Sequence, residues 1–141
     1  CDKLILTVLQ ECIDTYLETR SRRDSCGVPA LDFIAEDVAA LKARAEKIIH
    51  SLPEQLRGYC EIVDSTARTG GGTMPKSEIP SVAVAISPKS ISVAKLARRL
   101  RTGTPAVVGT AVDNKLQLDL RTVFTRQDEE LATALGETLV A

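Results

Sequence analysis

The sequence predicts an α+β fold, a two-layer small domain in which a mostly antiparallel sheet of about four strands lies under helices, with a long helix in front of it. Three observations predict it. Apolar residues recur at helical spacing in four separate stretches. Val82, Val84 and Ile86, and again Leu116, Leu118 and Leu120, alternate with period two. Asp113 and Asn114 sit between two apolar runs and fit a two-residue hairpin turn, which joins antiparallel strands.

Residues 2–19 place Leu4, Ile5, Val8, Leu9, Cys12, Ile13, Tyr16 and Leu17 on one wide stripe, with Lys3, Thr7, Glu11, Asp14 and Glu18 on the other side. This is a helix with a large face to bury. Residues 20–32 mix charge with Ser21, Ser25, Gly27 and Pro29 and carry no period, which reads as a loop. The chain is therefore expected to divide into residues 1–34, a leading helix and connecting loop, and residues 35–141, the small domain.

A second helix is expected over residues 35–51, with Val38, Leu41, Ala45, Ile48, Ile49 and Leu52 inward, Lys42, Arg44, Glu46 and Lys47 mostly solvated, and Pro53 as its stop. A strand over residues 59–64 follows, then a loop over residues 65–75 around Gly70, Gly71 and Gly72, then the buried strand 81–87. Ser92 is a suitable N-cap for a helix ending at Gly103, with Val93, Leu96, Ala97 and Leu100 inward. Strands 106–112 and 115–121 come next, and Thr125 with Asp128 resembles a capping box opening the last helix.

Lys and Arg total 18 against 19 for Asp and Glu, a net charge of -1, so no global field draws a polyanion. With no Trp, two Tyr and two Phe, a stacking platform for bases is excluded, and an RNA contact would go to backbone or shape. Cys1, Cys12, Cys26 and Cys60 show no CxxC pairing and His50 stands alone, so no metal site is expected and the cysteines read as reduced thiols of a cytoplasmic protein. No signal peptide and no apolar run near the ~20 residues of a membrane span occurs, so no membrane partner is expected. The chain opens on Cys1 and runs straight into a helical pattern, which reads as part of a longer polypeptide.

The glycines at 70 to 72 could present N–H groups to a phosphate, but no helix start or Lys-Ser/Thr pair follows them, and a structural loop is the competing reading. Lys95, Arg98, Arg99 and Arg101 form either the solvated face of a helix or a contact to RNA backbone or a subunit. Arg121, at the end of an alternating strand, is placed to reach a neighbouring cleft, with a salt bridge as the alternative. His50 has no Ser, Cys or carboxylate constellation around it, and none of the seven lysines sits in the Gly/Ser-rich or apolar setting of a Schiff-base lysine.

Several segments, taken in order, resemble bacterial selenocysteine synthase, the L-seryl-tRNA(Sec) selenium transferase family. They are Asp2-Lys3-Leu4, Leu41-Lys42-Ala43-Arg44-Ala45-Glu46, the stretch from Ser65-Thr66 through Gly70-Gly71-Gly72 to Pro75, Pro80 and Ser81, and Leu96-Ala97-Arg98-Arg99-Leu100-Arg101. Most specific are Pro105-Ala106-Val107-Val108-Gly109 and Leu118-Asp119-Leu120-Arg121-Thr122-Val123.

The resemblance implies the C-terminal small domain of a fold-type I pyridoxal-phosphate enzyme that converts seryl-tRNA(Sec) to selenocysteinyl-tRNA(Sec) with selenophosphate. It also implies an upstream large domain in the same polypeptide, a homo-oligomer and tRNA(Sec) as partners. The family's cofactor lysine lies before the segment matching Asp2-Lys3-Leu4, so no catalytic residue and no bound pyridoxal phosphate are expected in this stretch, which alone would be inactive. Arg121 and Gly70, Gly71 and Gly72 are then the cleft candidates, and Lys95, Arg98, Arg99 and Arg101 the RNA-contact candidates. Where the family pattern has Gly-Arg-Ile, this chain has Gly109-Thr110-Ala111, which removes a charge and bidentate anion recognition. A diverged pyridoxal-phosphate-dependent lyase and a non-catalytic binding or oligomerisation module are the alternatives.

Overall fold

The structure, a computed structural model, describes residues 2–19, 28–69 and 78–140. It divides into two compact units, Cys1–Glu36 and Asp37–Ala141.

The first unit holds α1 (Lys3–Thr19) and α2 (Pro29–Ala35). Asp2 Oδ1 accepts from the Ile5 amide at 3.0 Å and so satisfies one of the free donors of the first turn of α1. The apolar stripe of α1 lies open, with Leu4 73% exposed and Ile5, Val8, Leu9, Ile13 and Leu17 exposed as well. Residues 29–32, expected as loop, belong instead to α2, because Pro29 at its start fixes φ for a first turn without costing a hydrogen bond. Seven residues are too few to display a period, which hid this helix.

The second unit begins with α3 (Val38–Ser51), which starts three positions later than expected, and the single turn α4 (Glu54–Arg57) after Pro53. Two nine-residue strands follow, β1 (Cys60–Arg68) and β2 (Glu78–Ile86), antiparallel from Cys60↔Ile86 to Arg68↔Glu78. The strand thus runs on through residues 65–68, expected as loop. Ser65 and Thr66 offer no apolar alternation, yet they pair with Ser81 and Pro80. After α5 (Val93–Thr102) come β3 (Thr110–Val112) and β4 (Lys115–Asp119), a 3-10 turn at Leu120–Thr122, another at Thr125–Gln127, and α6 (Asp128–Val140).

The sheet order is β1-β2-β4-β3, with every neighbouring pair antiparallel. Among the described residues β1 is a long edge that pairs only with β2, and the opposite edge, β3, is three residues long. The α+β class is as the sequence predicts. Asp113 and Asn114 have φ of 48° and 59°, the left-handed pair that a two-residue hairpin needs.

One face of the sheet is apolar. Val82, Val84, Ile86, Leu116 and Leu118 form one core with Leu41, Ala45 and Ile48 of α3, Leu96 and Leu100 of α5, and Leu131 and Leu135 of α6. Ser92 caps α5 as expected, its hydroxyl accepting from the Lys95 amide at 3.2 Å.

Three local expectations are corrected. Residues 106–109 are not strand, because the Val107 amide donates to the Leu100 carbonyl at the end of α5 and leaves pairing to residues 110–112. Arg44 is not solvated: it is 8% exposed, one helical turn from Leu41 and from Ile48, on the core side of α3. Asp128 does not act as the closing residue of a capping box, since its carboxylate accepts from Arg44.

Candidate functional site

β4 stops at Asp119, opposite Ala83, while β2 continues for several residues beyond that point. The chain turns there into the Leu120–Thr122 3-10 segment, and the Asp119 side chain anchors the turn by accepting from the Arg121 amide at 2.9 Å. The same carboxylate accepts from Ser81 Oγ at 2.6 Å and from Ser65 Oγ at 2.8 Å, and these two serines are directly paired across β2 and β1. One acid therefore ties three strands together, its two oxygens accepting three charge-assisted hydrogen bonds.

Arg121 lies in this turn and not at a strand end. It is 4% exposed, and its Nη2 donates to the Pro80 carbonyl at 2.6 Å. If β4 had kept its register, position 121 would have faced Ser81, so the guanidinium supplies β2 with a donor where a strand neighbour would have been. Ser65, Ser81 and Asp119 thus fix the turn that carries Arg121, and both serine hydroxyls donate to the Asp119 carboxylate.

Beside it, a cavity of about 330 Å³ opens between the segment at Pro105, Val107 and Val108 and the stretch containing Thr122, Val123 and Gln127. Val108 is 76% exposed at its rim. Gly109 holds this segment against β4: a Cβ there would meet Leu118 Cδ2 at 2.6 Å and the Gln117 carbonyl at 2.8 Å. Thr110 is exposed on β3, paired with Gln117.

Gly70, Gly71 and Gly72 lie outside the described residues. Lys95, Arg98 and Arg101 are exposed on α5, whereas Arg99 is half-buried. His50 is exposed, its Nδ1 2.7 Å from the Glu46 carbonyl. Among the described residues no His, Cys, Asp or Glu group could hold a metal ion, and no helix is long and apolar enough to cross a membrane. Cys12 and Cys60 are free thiols. Burial pushes the Cys60 thiol up from 9.0 to about 11.

Sequence reasoning did not mark Ser65, Ser81 or Asp119 as site residues, nor the Arg44–Asp128 pair. The serines become a pair only once the β1–β2 register is known. Arg44 did carry a signal, because position 44 falls on the same helical face as 41, 45 and 48.

The family model described as L-seryl-tRNA selenium transferase matches residues 1–124. The chain belongs to the L-seryl-tRNA selenium transferase family. Curated members named L-seryl-tRNA(Sec) selenium transferase include one from Aquifex aeolicus, 30% identical over 138 residues, covering 98% of this chain and 30% of the relative. Another, from Moorella thermoacetica, is 33% identical over 141 residues, with 98% of this chain and 29% of the relative covered. A third, from Alkaliphilus oremlandii, is 30% identical over 140 residues, covering 98% and 29%. The chain thus spans about 30% of the length of these selenium transferases.

Proposed function

We propose that this chain is the C-terminal part of a pyridoxal-phosphate-dependent enzyme that converts seryl-tRNA(Sec) to selenocysteinyl-tRNA(Sec) with selenophosphate in the cytoplasm. The observation that carries this reading is the family match over residues 1–124, most of the chain. The small domain is then residues 35–141 in the division read from the sequence, which contains the whole second unit, behind a leading segment of residues 1–34.

The described residues do not by themselves make a pyridoxal-phosphate site. Lys3, Lys42, Lys47, Lys89 and Lys95 are exposed and Lys115 is ion-paired with Glu61, so none is a desolvated amine ready to hold an aldehyde. The cofactor is assigned to the remaining length of the polypeptide, as in a large domain upstream.

What these residues contribute is position and charge. Arg121, fixed by Pro80 and the Asp119 turn and one residue before Thr122 of the cavity lining, is the cation proposed for the cleft, and Gly70, Gly71 and Gly72 are the other cleft candidates. Arg98 and Arg101, with Lys95, offer exposed charge to tRNA phosphates. The open stripe of α1 is a surface for the large domain or a second subunit, and it favours the alternative of a binding or oligomerisation module if the polypeptide has no cofactor.

The test is selenium transfer from selenophosphate to seryl-tRNA(Sec) by the full-length polypeptide, read beside its visible absorption after addition of pyridoxal phosphate. Transfer with a cofactor band that a single lysine substitution removes is the expected result. A folded polypeptide with neither property would overturn the enzyme reading in favour of the module.

A further inference from the structure

Away from the Asp119 cluster, a smaller cavity of about 130 Å³ is lined by Tyr59, Lys89, Ser90, Ile91, Arg99 and Leu139, among others. Among the described residues its charged lining is one-sided: Lys89 and Arg99 contribute, and no carboxylate side chain does. Lys89 Nζ lies 5.3 Å from the centre of the Tyr59 ring, which keeps the ammonium at this site without neutralising it. Arg99 Nη1 is buried with no hydrogen-bond acceptor, and neither Arg99 nor Lys89 has an ion pair among the described residues.

A buried guanidinium nitrogen without an acceptor in the protein is placed to receive one from a ligand entering the cavity. Pro88, Ile91, Leu139 and Val140 give the cavity apolar walls, which strengthen any charge pairing inside it. Two separate cations and the Ser90 hydroxyl match a tetrahedral dianion better than a planar carboxylate. This sets Arg99 apart from Arg98 and Arg101, which are exposed on the same helix.

We propose that this cavity is a subsite for a phosphoryl group, held by Arg99 and Lys89 with Ser90 donating a hydroxyl hydrogen bond. The group could be part of an RNA backbone or a free phosphate. Only the RNA source rests on the proposed tRNA substrate; the subsite itself stands on the cavity.

The test is an NMR titration of the chain with inorganic phosphate, at constant ionic strength against chloride. Saturable shifts centred on Ser90, Ile91 and the Arg99 side chain are expected, with binding weakened at least about tenfold by Arg99→Gln, which removes one charge-assisted hydrogen bond, and unchanged by Lys42→Gln, at an exposed position of α3. Lys89→Gln, at an exposed position, should weaken binding in the same direction and serves if Arg99→Gln does not fold. Shifts that are non-saturable, or equal in wild type and Lys89→Gln, would overturn the subsite. With the site established, displacement of phosphate by a short RNA identifies a backbone phosphate as the ligand, and failure to displace identifies a free one. Neither readout depends on catalysis, so a failed selenium-transfer assay leaves this result interpretable.

Discussion

Arg44 and Asp128, 84 positions apart in sequence, are joined by two hydrogen bonds, Nε to Oδ2 at 3.0 Å and Nη2 to Oδ1 at 2.8 Å. Nη2 also donates to the Val123 carbonyl at 2.8 Å, so one side chain of α3 holds both the start of α6 and the turn before it. Removing the cation leaves a part-buried carboxylate and a carbonyl without their donor. Arg44→Ala should therefore lower unfolding free energy by about 3 kcal/mol in urea titrations. A Met at 44 with Leu at 128 should recover much of that loss, because an apolar pair has no charge to desolvate.

Gly109 is the second structural test. A methyl group at this position collides with Leu118 and with the Gln117 carbonyl, which belongs to the β3–β4 ladder and cannot easily retreat. Gly109→Ala should cost about 1–3 kcal/mol, read as a fall in melting temperature. An unchanged midpoint would mean that residues 105–109 shift freely over β4.

Cys60 gives a pH dependence. Its thiol is raised from 9.0 to about 11 by burial, so the folded state favours the neutral form. The associated stability is fully present below about pH 9 and is lost as pH rises through about 11, with a size of about 1–2 kcal/mol once screening of this partly exposed group is allowed for. The stability difference between wild type and Cys60→Ala should shrink by that amount between pH 8 and the alkaline end. With Cys1 and Cys26 changed to Ser, iodoacetamide at neutral pH should label exposed Cys12 well before Cys60.

For the basic helix, Arg98→Ala with Arg101→Ala should weaken tRNA binding by the full-length polypeptide. It should also reduce the slope of log K against log salt by about 0.7–0.9 for each phosphate no longer neutralised. An unchanged slope would leave both side chains as solvated surface.

Arg121→Ala should lower turnover of the full-length enzyme by more than its stability change accounts for. The stability cost itself is about 1–3 kcal/mol, because the Pro80 carbonyl is deprived of its donor. Losses of equal size, measured below the melting transition, would make Arg121 a brace for β2 alone.

The sheet and its covering helices were legible because their signals are local. The alternation of Leu116 and Leu118, the Asp113-Asn114 turn and the Ser92 cap each depend on residues close in sequence. The polar features were not legible for the opposite reason. Ser65, Ser81 and Asp119 meet only through strand register, and Arg44 finds Asp128 only after α6 has packed on α3. β4 ends before the alternating pattern does, because Leu120 continues that pattern and remains buried although the backbone has already turned into a 3-10 segment. Hydrophobic pattern reports which side of the chain is buried, and the path of the backbone follows from it only while the strand has a neighbour to pair with.

The outer edge of β1 has a consequence for how copies of the protein meet. A nine-residue strand with one side unpaired among the described residues is a template for joining sheets between molecules. Exposed Asp64 sits near its midpoint, and two β1 strands approaching antiparallel about that point would set Asp64 against Asp64. Like charges directly opposite on paired strands repel, so β1 carries its own bar against edge-to-edge pairing of two copies in this register.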